Sequence, residues 1–309
     1  MSAHSIRFPS LDAAPSALPM APATQIWPPA DHVSDRAQRL AAARSVLAEL
    51  SAVNHPVQEQ IRNLSSDAAV SLGIDDLDRR LAGGLKRAGV HEIFAAGIGD
   101  EAAAAGFVAG LCACAGRDRP GPVLWIDTSA SIAEDGMLWP PGLADWGIAA
   151  DRLIRATARG PRDALRMADD ALACAALGAV VLELRGPAPM LDLTALRRLH
   201  LAAEAHVVPC LLLRFGAEPI ASPALTRWSI AARASGGGAG LPASRHLLGP
   251  PRFNADLARQ RGGGLGSWCL EWCPDVRSFV SPATATISQP AIPPVQHRSY
   301  RQGVAAWAG

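Results

Sequence analysis

The chain has 309 residues, with 29 basic and 28 acidic side chains for a formal charge of +1, and it is 49% hydrophobic and only 18% charged. That length and composition supply a large apolar core, in one domain or two small ones. The balanced charge excludes a protein that grips nucleic acid by bulk electrostatics, so any such contact must come from a local patch.

Residues 1–33, rich in Ala, Pro and Ser, bury too little apolar surface to order themselves and are expected to form a tail. They lack a basic start followed by an apolar stretch, so no secretory signal is expected. Ser34 reads as a helix N-cap, followed at helical spacing by Leu40, Val46, Leu47, Leu50 and Val53. Residues 34–72 are thus a helical segment and linker, with a second short helix. From Val90 onward, β-branched runs alternate with alanine-rich helices. Strands are predicted over Val90–Ala95, Val123–Asp127, Arg152–Ala156, Ala179–Leu184 and Val207–Phe215. Helices are predicted over Ala102–Ala115, Pro161–Leu177 and Leu193–Ala205. This alternation argues an α/β fold, a mostly parallel sheet covered on both faces.

The pattern changes after residue 226. Trp228–Ala232 reads as a strand and Ser235–Gly240 as a glycine loop. Arg252–Arg259 and Ser267–Trp272 flank Gly262–Gly266, an antiparallel hairpin at one end of the sheet. Trp268, Leu270 and Trp272 alternate with Cys269 and Glu271. The two tryptophans could stack on unpaired bases, but a period of two favours a buried sheet face. The core is therefore placed at 73–280, with a Pro-rich, disordered tail at 281–309. The six cysteines show no metal-binding spacing and read as free thiols of a reduced, cytoplasmic compartment. No apolar run reaches the roughly 18 residues that cross a bilayer. His200 and His206, at the end of a helix, read as structural.

A glycine loop after the first core strand raises the question of nucleotide binding. Phosphate-binding loops use backbone N–H groups, a lysine for the β/γ-phosphates and a hydroxyl for Mg²⁺. The segment Glu92–Phe107 has strand, loop and helix in the right order, with Ala96, Gly97 and Gly99 in the loop. Its chemistry is wrong: Asp100 and Glu101 stand where the lysine should be, and Ala102 replaces the hydroxyl. A carboxylate about 4 Å from a phosphate charge costs about 4 kcal/mol at a dielectric of about 20. The sole lysine, Lys86, precedes the strand. No ATP binding, no metal and no other cofactor are expected.

These residues carry a resemblance. G-I-D-D-L-D-R-R-L-A-G-G-L-K-R-A-G-V-H-E-I-F, from Gly73, resembles the lead-in to the first core strand of the RecA recombinase, and V-L-W-I-D-T a later one. P-C-L-L-L-R-F and S-P-A-L-T-R-W-S-I-A-A-R resemble the region around RecA's second DNA-binding loop, here much shortened. Two longer motifs, Leu191–Glu204 and Gly249–Trp272, resemble the ImuA family, RecA/SulA-like accessory proteins of a damage-inducible (SOS) mutagenesis cassette. The resemblance covers about 73–272 and implies a RecA-like core. Carried over by position, the loop lysine falls at Glu101 and its neighbouring hydroxyl at Ala102. The catalytic glutamate falls near Ser129, the ATP-coupling glutamine near Ala217, and the Walker B aspartate near Glu183. Only Glu183 keeps its chemistry, which implies a non-catalytic, degenerate ATPase.

The implied role is in error-prone translesion synthesis after DNA damage. The implied partners are an ImuB-like Y-family protein and a DnaE2-type polymerase, with a RecA filament as a further surface on which a RecA-shaped protomer could dock. A helix preceding the core docks on the neighbouring protomer in RecA; here it could equally pack on its own domain. The shared fold also permits a SulA-like inhibitor of cell division that binds FtsZ, although the ImuA-like C-terminal motifs speak against it. A residual ATPase using an unusual loop is the third alternative. From Arg197 to Arg261, nine arginines face only three carboxylates. Either they form intramolecular pairs, with Asp75, Asp76 and Asp78 as candidate partners, or Arg197, Arg198, Arg227, Arg252, Arg259 and Arg261 make a patch for single-stranded DNA or an acidic partner. Arg259 and Arg261, beside the glycine hairpin, are the strongest individual candidates.

Overall fold

The computed structural model describes residues 69–235 and 249–282, together with Ser45. The tails, the linker helix, Arg245 and most of the Ser235–Gly240 loop lie outside the described residues, as does the Ser34–Val53 helix apart from Ser45, which is helical.

A two-stranded antiparallel sheet opens the core, β1 (Ala69–Val70) against β2 (Leu85–Lys86), with the short helix α1 (Asp75–Arg80) between them. The main elements follow: β3 (Val90–Ala95), α2 (Glu101–Asp118), β4 (Val123–Thr128), α3 (Ser129–Asp135), α4 (Pro140–Ala144), β5 (Leu153–Ala158), α5 (Pro161–Leu172), β6 (Ala179–Arg185), α6 (Leu193–His206), β7 (Cys210–Phe215), β8 (Thr226–Arg233), β9 (Arg252–Gln260), β10 (Gly266–Cys273) and β11 (Ser278–Val280). The nine-stranded sheet runs β11-β10-β9-β8-β3-β7-β6-β4-β5. From β8 to β5 all pairings are parallel; β9, β10 and β11 add antiparallel strands at one end. This is the α/β core expected from the sequence, mostly parallel and with an antiparallel hairpin at one end.

Because the central strands are covered on both faces, they read as unbroken apolar runs. On one face α2 packs with Trp125, Val181, Leu213, Trp228, Phe253, Trp272 and Phe279. On the other, α5 and α6 cover Leu124, Ile126, Val180, Leu182 and Leu212. The aromatic layer needs close approach to α2: a methyl group on Gly110 would lie 2.5 Å from the Phe279 ring. The period-two reading of β10 holds, since Leu270 and Trp272 are buried. Trp268 is partly buried against the same core, and its indole N–H donates to Asp76 Oδ2 at 3.0 Å.

Two predicted elements are shorter than expected. The helix from Pro161 ends at Leu172 rather than Leu177. Gly178 N–H donates to the Pro122 carbonyl at 2.8 Å, and its backbone packs directly on Gly121, so the chain must turn early to bring β6 beside β4. The strand expected from Val207 begins at Cys210, because Val207 caps α6 in the left-handed region at φ 55°. Among the described residues, no helix is long and apolar enough to cross a membrane.

Candidate functional site

The loop between β3 and α2 has phosphate-loop topology, and three of its amides are already engaged. Ala96 N–H donates to the Ile230 carbonyl at 2.8 Å, and Asp100 N–H to the Gly97 carbonyl at 3.2 Å. Gly99, at φ +94°, turns its N–H onto Glu101 Oε2 at 2.7 Å. The carboxylate of Glu101 therefore occupies an amide that a phosphate oxygen would use. Asp100 turns toward the neighbouring strand, where its Oδ1 accepts Ala232 N–H at 2.8 Å. Arg185, at the end of β6, lies 3.6 Å from Glu101 and binds Asp135 through Nε at 2.7 Å and through a second, shorter contact. Its guanidinium sits over the Phe215 ring, 5.6 Å from the centroid, and the hydrogen bond to Asp135 raises its pKa further.

Beside this loop, the carboxyl ends of β4, β5 and β6 gather a second polar group. Glu183 Oε2 accepts the Trp125 indole N–H at 2.9 Å. Burial pushes the Glu183 carboxyl up to about 7, with Asp127 and Asp135 adding to the effect. Asp127 is buried and pairs with Arg155 at 3.0 Å through Oδ2; its Oδ1 has no partner among the described residues. Ser129 begins α3 and donates to the Ala158 carbonyl at 3.4 Å, and Ala217 lies in the loop after β7. Ala102 is in the first turn of α2.

The arginines predicted to form a patch are mostly consumed within the fold and scattered over it. Arg198 binds Asp169 at 2.5 Å, Arg227 binds Glu92 at 2.7 Å and Arg252 binds Glu271 at 2.5 Å. Arg259 donates to the Ser222 carbonyl at 2.5 Å. Arg197, on the outer side of α6, and Arg261, at the foot of the hairpin, are exposed and have no side-chain partner among the described residues. The partners differ from those expected. Asp78 accepts Leu72 N–H at 2.8 Å and the Ser71 hydroxyl at 2.6 Å, and Asp76 takes Trp268, lying also 3.6 Å from Arg79. These α1 carboxylates serve their own turn and the hairpin.

One side of the glycine loop borders an open cleft of about 360 Å³. It is lined by Phe94, the loop from Ala96 to Ile98, Glu101, the turn from Gly216 to Pro219, and Arg227 to Ser229.

No family model matches the chain. Protein ImuA of Caulobacter vibrioides, in strains NA1000 and CB 15, is 37% identical over 201 residues, covering 61% of this chain and 77% of that protein. The chain belongs to the ImuA family. Among solved structures, the RadB recombinase is 16% identical with a TM-score of 0.46, covering 69% of this chain and 99% of its own.

In this ImuA-family chain, position-by-position reading found the loop residues and Glu183 but missed Asp127, Asp135, Arg155 and Arg185. A signal for two of them, Asp127 and Arg185, was present. Trp125 with Asp127, and Glu183 with Arg185, are pairs two residues apart on apolar strands, so each pair shares a face where β4 and β6 end.

Proposed function

We propose that this chain is a non-catalytic accessory protein of damage-induced, error-prone translesion synthesis. It acts through contacts with an ImuB-like Y-family protein, a DnaE2-type polymerase and RecA, and it does not turn over ATP. Membership of the ImuA family supports the pathway. The observation that carries the non-catalytic reading is the 2.7 Å hydrogen bond from Gly99 N–H to Glu101. A loop whose amide is held by its own carboxylate repels phosphate and has no reason to close on it. The RecA-shaped body then serves as a rigid display of partner surfaces without a nucleotide switch. Two measurements test this. Labelled ATP with Mg²⁺ is expected to show no saturable binding, and the purified chain is expected to form a stable complex with the ImuB-like protein. DNA-stimulated ATP hydrolysis by the purified chain overturns the reading.

A further inference from the structure

We infer that the cleft beside the glycine loop is a docking site for a partner polypeptide, and that it takes an apolar segment bearing an arginine or lysine side chain. The inference deepens the accessory reading and rests on it, because the site abuts the loop that Glu101 occupies. Three observations converge. First, Ile98 is displayed at full exposure between Gly97 and Gly99, and Pro219 forms part of the opposite wall beside exposed Ile220. Large apolar side chains held in water at the rim of a cleft mark protein contacts. Second, the charge that lines the cleft is acidic. Glu101 and Glu218 both face it, and Glu218 has no partner among the described residues. Third, the one cation in the wall is committed. Arg227 binds Glu92 at 2.7 Å and the Ile220 carbonyl, and lies over the Phe94 ring at 5.8 Å. An anionic ligand therefore finds carboxylates and a neutralised arginine. A basic head group finds Glu218 without a partner among the described residues and the Glu101 carboxylate, shared with Gly99 N–H and Arg185, with Phe94 as apolar floor. The cleft volume is at the small end of the roughly 300–1,000 Å³ usual for ligand sites, which suits a few side chains of an extended segment.

The test uses the full chain and two fluorescein-labelled pools of short peptides. One is rich in Leu, Phe and Val around a fixed arginine; the other is identical with glutamate in that place. Anisotropy is expected to show saturable binding of the arginine pool only. I98D and E218K, both at exposed positions, are each expected to weaken that binding about tenfold, with far-UV circular dichroism unchanged. Absence of saturable binding, or binding that neither variant alters, overturns the inference and leaves the accessory reading standing. Competitive displacement of the peptide by Mg-ATP overturns both. Self-association of the wild-type chain that I98D abolishes assigns the cleft to a second copy and overturns the polypeptide-partner inference.

Discussion

Replacing Glu101 by glutamine removes the negative charge from the glycine loop while keeping an oxygen that can accept Gly99 N–H. The fold should therefore survive. A phosphate oxygen that displaced the carboxylate from that amide would still stand about 4 Å from its charge, a repulsion of about 4 kcal/mol at a dielectric of about 20. Arg185, 3.6 Å away, offsets part of it. With about 1.4 kcal/mol for each factor of ten, E101Q should raise the affinity for an oligophosphate by between about tenfold and about a thousandfold. Isothermal titration with inorganic tripolyphosphate at low ionic strength checks this, and the gain should shrink as salt is added. The reasoning fails if the wild-type chain binds tripolyphosphate as tightly as E101Q does.

Other outcomes follow from the same structure. Glu183 titrates near 7 in the folded chain against about 4.5 otherwise, so between those pH values the native state keeps a proton that the unfolded state has lost. The Glu183 contribution to stability should fall by about 3 kcal/mol as pH rises through that window and stay level above it, against an opposite contribution from buried His91, which is held down to about 4. The stability difference between wild type and E183Q in urea melts should therefore change by most of the Glu183 contribution between pH 5 and pH 8. Gly110→Ala drives a methyl group to 2.5 Å from Phe279, and should cost about 1–3 kcal/mol with a lowered Tm in thermal unfolding. Burial pushes the thiols of Cys114 and Cys210 up to about 12 and that of Cys112 higher still, whereas Cys269 and Cys273 are only half-buried. A thiol reagent should label the latter two first in the native chain and all six after denaturation, as peptide mapping would read.

The parallel core was legible because apolar, β-branched runs such as Ala179–Leu184 are long and bounded, and the α2 residues leave little choice of element. Asp100, Glu101 and Ala102 likewise announced their chemistry through residue type alone. What the sequence could not convey was direction. That Asp100 turns to Ala232 while Glu101 folds back onto Gly99 depends on the placement of β8 beside β3 and on backbone torsions. The arginine count left pairing and patch both open for a related reason. Partners such as Glu92 for Arg227 and Glu271 for Arg252 come from neighbouring strands, so a tally along a window saw charge excess where the sheet makes pairs. The strand β11 was missed because three residues carry no readable period.

The segment that follows the first described strand is stitched to the last strand: Phe279 N–H donates to the Leu72 carbonyl at 3.0 Å, and Ser278 Oγ donates to the same oxygen at 2.9 Å. The described core thus begins and ends at adjoining points. A circular permutant that fuses those points and opens the turn between β6 and α6 should retain the whole sheet, whereas trimming back to residue 273 would unfasten both ends at once.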